Sequence, residues 1–539
     1  MMTPDDLACL IAGLHGLAED HPDIETMQAI FAEAERFSRD FLEPGSKLAD
    51  AQGARMEAGR VKLPPSQLTS WVGYVAGGWP ELSAPAAYGG QGLPLTVAVG
   101  AQMLFDASDI ALGMLALNQR CAIRLLRNVA SREVQDLWIP RFISCDWATT
   151  ICISESDAGS DVGRIRARAV AAGDGTYRIT GQKCWISYGD HDLAPNIVHF
   201  ILARTPGQPA GTRGLTLFLL PDTRADGTRN GVEVLRIEEK LGLHASPTCV
   251  LAFEDAEAIA LSPEGRGMPA IFEMIVGMRL GVGGQSCALA NRAAEIAWAY
   301  AASRTQGGRP DAPPVFIHEH AEVRRLLLET RLTATGVTLL TLQAAAWAEA
   351  GDQGDKAAAA RASVLLPAVK SLAAEAAFET ASQAIQVLGG AGVTREWPVE
   401  RILRDARVFS IFEGTTAIQA LDLMQRQLLG AGEVAANETL DILAPAPAVR
   451  ARLAAVLESI RNAPRPAQEQ AAVPLLRLFG LACIDGLLRR HAAIGRLAPK
   501  FAALLVWHEV ELQAKLEALS DAARWRNIAP LYAALAEKA

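Results

Sequence analysis

The sequence predicts a mainly α-helical protein with a central β domain. Three observations carry this prediction. Ala/Leu-rich stretches with helical periodicity fill residues 1–148 and return after residue 266, whereas short β-type runs cluster between them. The chain has 539 residues, which exceeds what a single hydrophobic core usually supports. The order along the chain is therefore helices, strands, helices and then further helices.

We predict four domains. They are a helical domain at 1–148, a β domain at 149–265, a helical bundle at 266–430 and an additional helical domain at 431–539. The β domain is predicted from the runs ATTICIS, GTYRITGQKCWIS, NIVHFILAR, LTLFLLP and TCVLAFED, which turn residues separate. The segment APAPAV predicts a linker near residue 444.

Composition excludes several classes of function. The net charge of −9 argues against binding to nucleic acid or to an anionic membrane. The eight cysteines are scattered without metal-ligand spacing, so we expect no metal site and reduced thiols in a cytoplasmic protein. No signal peptide is expected from the first residues. The most apolar window, AAVPLLRLFGLACIDGLL, contains Pro474, Arg477 and Asp485, so we do not expect it to span a membrane.

One acidic residue stands out within the run RDARVFSIFEGTTAIQ at 404–419. Glu413 follows apolar residues, and its nearest basic residue in the sequence is Arg407. Thr416 and Gln419 have the spacing of a capping box, which predicts a helix beginning there. Glu413 should then lie in the turn before that helix, followed by a glycine that permits unusual backbone angles. An exposed glutamate in a loop is the ordinary alternative.

Other polar motifs are weak when taken singly. The turn ICISESDAGSDVG at 151–163 offers N–H groups and hydroxyls to an anion or a polar cofactor edge, but a solvated turn explains it equally well. Trp185 lies in an alternating strand, where tryptophan is more often a core residue than a cofactor contact. The stretches SRTQGG at 303–308 and QAIQVLGGAGVTREWPVERILRDAR at 383–407 supply arginines and amides that could form a solvated ion-pair face.

Taken together, these motifs resemble the acyl-CoA dehydrogenase family. AGSD, KCWIS, QVLGGAGVTREWPVERILRDAR and IFEGTTAIQ occur in the family's order, and the resemblance spans roughly 60–430. GWPELSAPAAYGGQGLP and KLGLHASPTCVLAF are similar to a subgroup of long polypeptides that includes 3-methylmercaptopropionyl-CoA dehydrogenases and broad-range bacterial enzymes. The resemblance implies an N-terminal helical domain, a β-barrel-like middle domain and a C-terminal four-helix bundle, to which residues 431–539 add helices.

The resemblance also implies a reaction. Such enzymes use FAD to convert a saturated acyl-CoA to the trans-2-enoyl-CoA and pass the electrons to an electron-transfer flavoprotein. Glu413 occupies the position of the catalytic base, which removes the α proton while the β hydrogen leaves as hydride to flavin N5. Its backbone N–H and a flavin ribityl hydroxyl would polarise the thioester carbonyl. Some relatives carry the base on an earlier helix, where this chain has Met278, which cannot accept a proton.

Positions around the cofactor and substrate carry over from the same resemblance. Arg304 and Gln306 match residues that reach the FAD of a neighbouring subunit, which implies a homodimer or a dimer of dimers. Ser160, Arg279 and Gly414 match substrate contacts. The complete set of positions that match FAD contacts is Ile151, Ile153, Ser154, Gly159, Ser160, Trp185, Ser187, Arg304, Gln306, Gln386, Gly389, Gly390 and Thr415.

Two departures from the family pattern and two alternative functions stay open. Ser156 replaces a usual proline and should loosen its turn, and Val276 replaces a usual Asp or Asn near Arg279. An acyl-CoA oxidase differs only in its reoxidation by oxygen. A DNA-associated flavoprotein of the same fold would need a strongly basic C-terminal part, yet residues 431–539 hold 13 basic and 11 acidic residues. A non-catalytic member would have lost the base, yet Glu413 is present. We expect these last helices to be buried against the main body or a partner subunit.

Overall fold

The computed structural model describes residues 3–17, 22–493 and 497–523. These residues form two compact units. The helical unit consists of Met1–Ile24, Leu289–Leu403 and Phe409–Ala539, and the mixed unit consists of Glu25–Ala288 with Arg404–Val408.

The α-helices follow the predicted order, and polar caps define several of their starts. Asp109, Ser131 and Asp355 each accept a backbone N–H from the first turn of the helix that follows them. The helices of the described residues are α1 Pro4–Leu14, α2 Pro22–Phe37, α3 Glu43–Gln52, α4 Pro65–Ala76, α5 Leu95–Asp106, α6 Ile110–Val129, α7 Arg132–Ile143, α8 Gly267–Ser303, α9 Ala321–Asp352, α10 Lys356–Leu388, α11 Val399–Ala406, α12 Thr416–Asp422, α13 Glu433–Leu443, α14 Pro447–Arg461, α15 Arg465–Ala493 and α16 Ala498–Ala523.

The strands lie in the mixed unit. The five predicted runs correspond to β3, β5, β6, β7 and β9, so those predictions are confirmed. The strands β1, β2, β4 and β8 were not predicted, because they are short and partly polar. The described strands are β1 Arg55–Glu57, β2 Arg60–Lys62, β3 Trp147–Cys152, β4 Arg168–Ala171, β5 Tyr177–Ser187, β6 Asn196–Arg204, β7 Leu215–Pro221, β8 Val232–Ile237 and β9 Thr248–Ala260.

The main sheet closes on itself, which confirms the prediction of a barrel-like domain. The hydrogen-bonded circuit runs β6–β4–β5–β9–β7 and returns to β6. The strand β3 pairs in parallel with β6, and β8 pairs with β9. Residues such as Ile179, Phe200, Leu217 and Phe253 fill the domain and are almost wholly buried. Closure removes most of the free strand edges that would otherwise attract other chains.

A tyrosine ties the strands to the helices of the mixed unit. Tyr188 follows β5 directly and is completely buried. Its hydroxyl donates to the carbonyl oxygen of Ala111 on α6 at 2.8 Å and accepts from the amide of Gln67 on α4 at 3.1 Å. A buried phenol needs such partners, and here they hold the end of β5 in place.

In the helical unit, α9 and α10 lie side by side, and α12 packs against α10. The last part of α8 joins them through Asn291, which donates to Thr338 Oγ1 of α9 at 2.9 Å. These are the helices predicted for the C-terminal bundle.

The additional C-terminal helices cover this bundle. Helix α15 packs against α9, α10 and α12, and α16 packs against α15. The contact with α10 is close, because a Cβ atom on Gly480 would lie 2.0 Å from Cδ1 of Leu372. The prediction that these helices are buried against the main body is confirmed for α15, whose Leu475, Leu476 and Phe479 are fully buried.

Two helices are long and apolar enough to cross a membrane by length and composition. They are Lys356–Val393 and Arg465–Ala493, so the second passes a test that the sequence argument expected it to fail. In the structure 67% and 72% of their most apolar windows are buried inside the protein. Such burial is typical of helices in a protein core.

A buried carboxylate joins three elements of the C-terminal helices. Asp485 on α15 is fully buried and accepts from the backbone N–H of Ala446 at 2.7 Å, from Arg489 Nε at 3.1 Å and from His508 of α16, whose Nε2 lies 3.2 Å away. Burial alone would raise the pKa of Asp485, but the hydrogen bonds from His508, Arg489 and Ala446 outweigh it. The pKa of Asp485 therefore lies below its ordinary value.

We expect Asp485→Ala to destabilise α15 and α16 by about 3 kcal/mol, because Arg489 and His508 lose their shared acceptor. Hydrogen exchange of the amides in these helices at neutral pH measures the effect. The matched control is Glu469→Ala, which breaks an exposed pair with Arg465 on the same helix and should cost at most about 0.5 kcal/mol.

Comparing the stability of the wild type with that of Asp485→Ala at different pH values gives a second test. A carboxyl group whose pKa is lower in the folded state stabilises the fold above its ordinary pKa, here 3.8, and stops doing so as the pH falls through the folded value. The advantage of the wild type over Asp485→Ala should therefore shrink only below about pH 4. A difference that grows in acid would contradict the assignment.

Candidate active site

The turn around Glu413 lies in the helical unit, directly before α12. Glu413 has φ 55° and Gly414 has φ 89°, so two successive residues adopt the left-handed conformation. That conformation is costly for a residue with a Cβ atom, by about 1–2 kcal/mol. Glu413 is half-buried, and the rings of Phe409 and Phe412, which precede it in the chain, pack with their centroids 5.3 Å apart. The backbone of this acid is thus held in an unfavourable conformation by its surroundings.

The predicted capping box is wrong by one residue. Thr415, not Thr416, is the N-cap of α12, and its hydroxyl accepts from the N–H of Ile418 at 3.4 Å. Gln419 does not turn back to the cap. Its amide donates instead to the carbonyl oxygen of Glu413 at 2.9 Å, because the left-handed turn directs that carbonyl toward α12.

A second buried donor holds the next carbonyl of the turn. Lys370 of α10 is fully buried, and its Nζ donates to the carbonyl oxygen of Gly414 at 2.6 Å. Neither this lysine nor the role of Gln419 was predicted. A charged residue in the apolar run SVLLPAVKSLAAEAAF was the available signal, because a lysine is seldom buried without a specific acceptor.

In the mixed unit, Trp185 lies at an irregularity of β5. The register of β5 against β9 shifts between Lys183 and Ile186, and Trp185 takes φ 63° there. Its side chain is 63% exposed, so the expectation that tryptophan in this strand belongs to the core is wrong. The bulge turns the indole away from the interior, because one extra residue on a strand reverses the facing of the side chains. Ser187 follows and is half-buried.

A buried ion pair holds the strands next to Trp185. Lys183 is fully buried, and its Nζ lies 2.8 Å from Glu155 Oε1 and 2.9 Å from the carbonyl oxygen of Ile153. Burial lowers the pKa of Lys183 below its ordinary value, although the Glu155 carboxylate acts in the opposite direction. The backbone N–H of Cys184 donates to the carbonyl oxygen of Ser154 at 3.0 Å. Ser154 and Trp185 are therefore held on adjoining segments.

Hydrogen bonds hold the turn that follows β3, although Ser156 stands there in place of the usual proline. Glu155 and Ala158 exchange two backbone hydrogen bonds of 3.1 and 3.0 Å across Ser156 and Asp157. The Glu155 carboxylate also accepts the backbone N–H groups of Arg166 and Ala167, at 2.7 and 3.0 Å. The expected loosening at Ser156 is thus not observed. Beyond the turn, Ser160 is exposed.

Two further strand positions of the predicted set, Ile151 and Ile153, are half-buried at the end of β3. On α8, the guanidinium of Arg279 lies 5.7 Å from the centroid of the Phe272 ring. Val276 and Arg279 are both half-buried, and Met278 is buried with only 2% of its surface exposed.

The remaining predicted residues are exposed on the helical unit. Arg304 and Gln306 lie on a tight hairpin-like connection, in which the N–H of Ile317 donates to the carbonyl oxygen of Arg304 at 2.9 Å. Gln386 lies at the end of α10, followed by Gly389 with φ 61°. A Cβ atom on Gly389 or Gly390 would meet no atom within 4 Å, so there is open space beside the backbone at this end of α10.

Comparisons with known proteins identify the family. The family models for the middle and C-terminal domains of acyl-CoA dehydrogenases match residues 150–256 and 265–428. The 3-methylmercaptopropionyl-CoA dehydrogenase of Ruegeria pomeroyi is 37% identical over 78% of this chain and 74% of its own length. The chain belongs to the acyl-CoA dehydrogenase family.

Other members of the family agree with this assignment. The broad-specificity linear acyl-CoA dehydrogenase FadE5 of Mycobacterium tuberculosis is 35% identical over 68% of this chain and 64% of its own length. The structure of butyryl-CoA dehydrogenase from Megasphaera elsdenii is 22% identical, with a TM-score of 0.64 over 76% of this chain and 98% of that one, so it supports the fold. Membership makes this acyl-CoA dehydrogenase homologue an FAD-dependent oxidoreductase.

The mixed unit of this acyl-CoA dehydrogenase homologue fits a flat aromatic cofactor. The exposed indole of Trp185 offers a face for stacking, and the nearby hydroxyls of Ser154 and Ser187 offer hydrogen bonds. Gly159 leaves open space, because a Cβ atom there would meet nothing within 4 Å. We expect these residues to hold FAD.

We expect Trp185→Ala to weaken FAD binding about tenfold, because one stacking contact is worth roughly 1–1.5 kcal/mol. The FAD-free protein should unfold at nearly the same temperature as the wild type, since the indole is mostly exposed. The control is Trp138→Ala, which removes a buried ring packed 4.9 Å from Trp147 and should cost about 3–5 kcal/mol. Unchanged FAD affinity in Trp185→Ala would remove this residue from the cofactor site.

Proposed function

We propose that the protein desaturates a saturated acyl-CoA to the trans-2-enoyl-CoA, with Glu413 as the base that removes the α proton. The observation that carries this proposal is the turn itself. Glu413 lies in a left-handed conformation, and buried donors hold its carbonyl and the next one. A chain accepts such strain most readily where the position of a side chain matters for chemistry.

The reaction makes two demands on the residues near the substrate. The α C–H of a thioester is a weak acid, so a positioned base and a donor for the carbonyl oxygen must act together. Glu413 supplies the base, and its backbone N–H supplies a donor beside it. Bound FAD supplies the acceptor for the β hydride. Met278 occupies the alternative place for a base and cannot take a proton, which leaves this role to Glu413.

The substrate pocket is proposed from relatives. The names of two relatives describe acyl-CoAs that are linear or carry a methylthio group, so we propose a linear saturated or methylthio-substituted acyl chain. Ser160, Arg279 and Gly414 are proposed to contact the substrate. An apolar pocket distinguishes one methylene by only about 1–3 kcal/mol, so activity should fall gradually on either side of an optimal length.

The assembly and the electron acceptor complete the proposal. Arg304 and Gln306 are exposed, as residues that reach a neighbouring subunit's FAD would be, so we propose at least a homodimer. An electron-transfer flavoprotein is the proposed acceptor, and the cytoplasm is the proposed location. A holoenzyme that sediments as a monomer would contradict the shared cofactor site. Co-sedimentation with anionic liposomes at physiological salt would contradict the location.

Glu413→Gln should keep FAD and its yellow spectrum but lose turnover by about 10³-fold, because an amide cannot accept the α proton. The rate of flavin bleaching by acyl-CoA under anaerobic conditions measures this loss. The control is Glu396→Gln, an exposed carboxylate on the preceding segment, which should retain wild-type rates. A Glu413→Gln enzyme with a tenth of the wild-type rate would sink the assignment.

The reaction class has its own test. Anaerobic mixing with saturated acyl-CoAs of three to eighteen carbons, together with branched and methylthio-substituted ones, should bleach the flavin for a subset that peaks at one chain length. Readmitted oxygen should restore the colour far more slowly than turnover with an electron-transfer flavoprotein. If no acyl-CoA bleaches the flavin, the proposal fails. If oxygen restores the colour at the turnover rate, the enzyme is an oxidase.

A further inference from the structure

Helix α10 carries a lysine, Lys370, at a buried position where its ammonium group needs a hydrogen-bond acceptor. Lys370 has no exposed surface, and it follows the buried residues Ala368 and Val369. An ammonium group in an apolar helix interface is costly unless it is hydrogen-bonded. Its Nζ donates to the carbonyl oxygen of Gly414 at 2.6 Å, so α10 delivers this donor to the turn that follows Glu413.

Gln419 likewise donates a hydrogen bond to the preceding carbonyl of the turn, that of Glu413. The residue is fully buried, and its Nε2 donates to the carbonyl oxygen of Glu413 at 2.9 Å. Its Oε1 is buried without a hydrogen-bond partner among the described residues, so the bond to Glu413 is the one that the amide gains here. The two consecutive carbonyls of the turn are thus each held by a buried side chain.

Holding the carbonyls of Glu413 and Gly414 also limits the directions in which the Glu413 carboxylate can point. A peptide group is planar, so the bond to the Glu413 oxygen also fixes the N–H of Gly414, and the bond to the Gly414 oxygen also fixes the N–H of Thr415. Glu413 has positive φ, a conformation that is unfavourable for a residue with a Cβ atom and from which an unrestrained turn would relax by rotating its peptide groups. Such a rotation would turn the Glu413 side chain away from the α carbon of the substrate.

We propose that Lys370 and Gln419 are positioning residues, which hold the left-handed Glu413–Gly414 turn so that the Glu413 carboxylate faces the α carbon of the thioester. This inference rests on the proposed function of Glu413. Both act through the backbone of the turn, and Lys370 supplies the stronger, charge-assisted bond.

The test uses the FAD-loaded enzyme with Lys370→Met, which keeps the length and apolar stem of the side chain but removes the donor. In anaerobic single turnover with an acyl-CoA that the wild type oxidises, the rate constant of flavin bleaching should fall about 30- to 100-fold, since misplacement by about 1 Å costs as much. The acyl-CoA dissociation constant should stay within about threefold. A variant that is merely less stable would lose FAD but bleach at the wild-type rate per remaining flavin.

A second readout isolates the proton step. An acyl-CoA with sulfur in place of the β carbon can lose an α proton but has no β hydrogen to transfer. Exchange of its α protons with deuterium from the solvent, followed by mass spectrometry, should slow in Lys370→Met by the same factor as bleaching. Exchange at the wild-type rate would mean that the base is still correctly aimed, and the inference would be wrong.

Two further variants complete the design. Ser371→Ala is the matched control, because Ser371 is the next residue on α10 and is fully buried, but no hydrogen bond of its hydroxyl is found among the described residues. It should bleach and exchange at wild-type rates. Gln419→Met decides the case if Lys370→Met does not fold, since it removes one bond to the same turn and should slow both steps about tenfold.

The outcomes separate the inference from the proposed function. If the wild type neither bleaches with any acyl-CoA nor exchanges the α protons of the sulfur analogue, the proposed function fails. If the wild type does both, and the foldable variants of Lys370 and Gln419 do so within threefold of its rates, the positioning role fails and Glu413 remains the base.

Discussion

Burying an amino group is unfavourable unless its hydrogens meet strong acceptors, and within the described residues this protein buries two lysines completely. Lys183 bonds to the carbonyl oxygen of Ile153 and to Glu155, and Lys370 bonds to the carbonyl oxygen of Gly414. Each lysine therefore holds irregular backbone beside a residue with positive φ, namely Trp185 and Glu413. Each arrangement matters within its own unit, because neither Trp185 nor Glu413 is itself paired in a regular ladder.

Residues with positive φ in this region differ in the exposure of their side chains. Tyr188, three residues after Trp185, also has positive φ, but its side chain is buried and bonded to two helices. Trp185 instead leaves most of its indole exposed, although exposing a large aromatic surface to water is unfavourable. Strain in the backbone together with an uncovered apolar side chain indicates a ligand surface, and a flat cofactor would compensate both costs.

Periodicity and turn residues predicted most of the fold. The five strand predictions followed from alternating apolar residues. The strands β4 and β8 were not predicted, because a strand such as Arg168–Ala171 buries only Ala169 and so has no apolar pattern. The turn around Glu413 was placed correctly before α12, but its capping was not. The sequence spacing of Thr416 and Gln419 suits a capping box, and nothing in it reveals that Gln419 is needed by the carbonyl of Glu413.

The position of Trp185 shows a second limit. An alternating pattern predicts which face of a strand is buried, and a single bulge reverses that prediction for every residue beyond it. The bulge at Lys183 to Ile186 is set by pairing with β9, so it depends on residues about 65 positions away along the chain. Site positions taken from the family resemblance do not rest on this alternation, and they stay predictions.

The additional helices are connected to the same site through α10. Helix α15 packs against α10 and α12, the two helices that carry Lys370 and Gln419. At Gly480 the two helices lie close together, because a Cβ atom there would displace the side chain of Leu372, which lies two residues after Lys370. Because protein interiors are packed to the density of crystals, we expect a helix in such contact to restrain the movement of α10. The C-terminal extension would then help to keep Lys370 near Gly414 without supplying a residue to the turn.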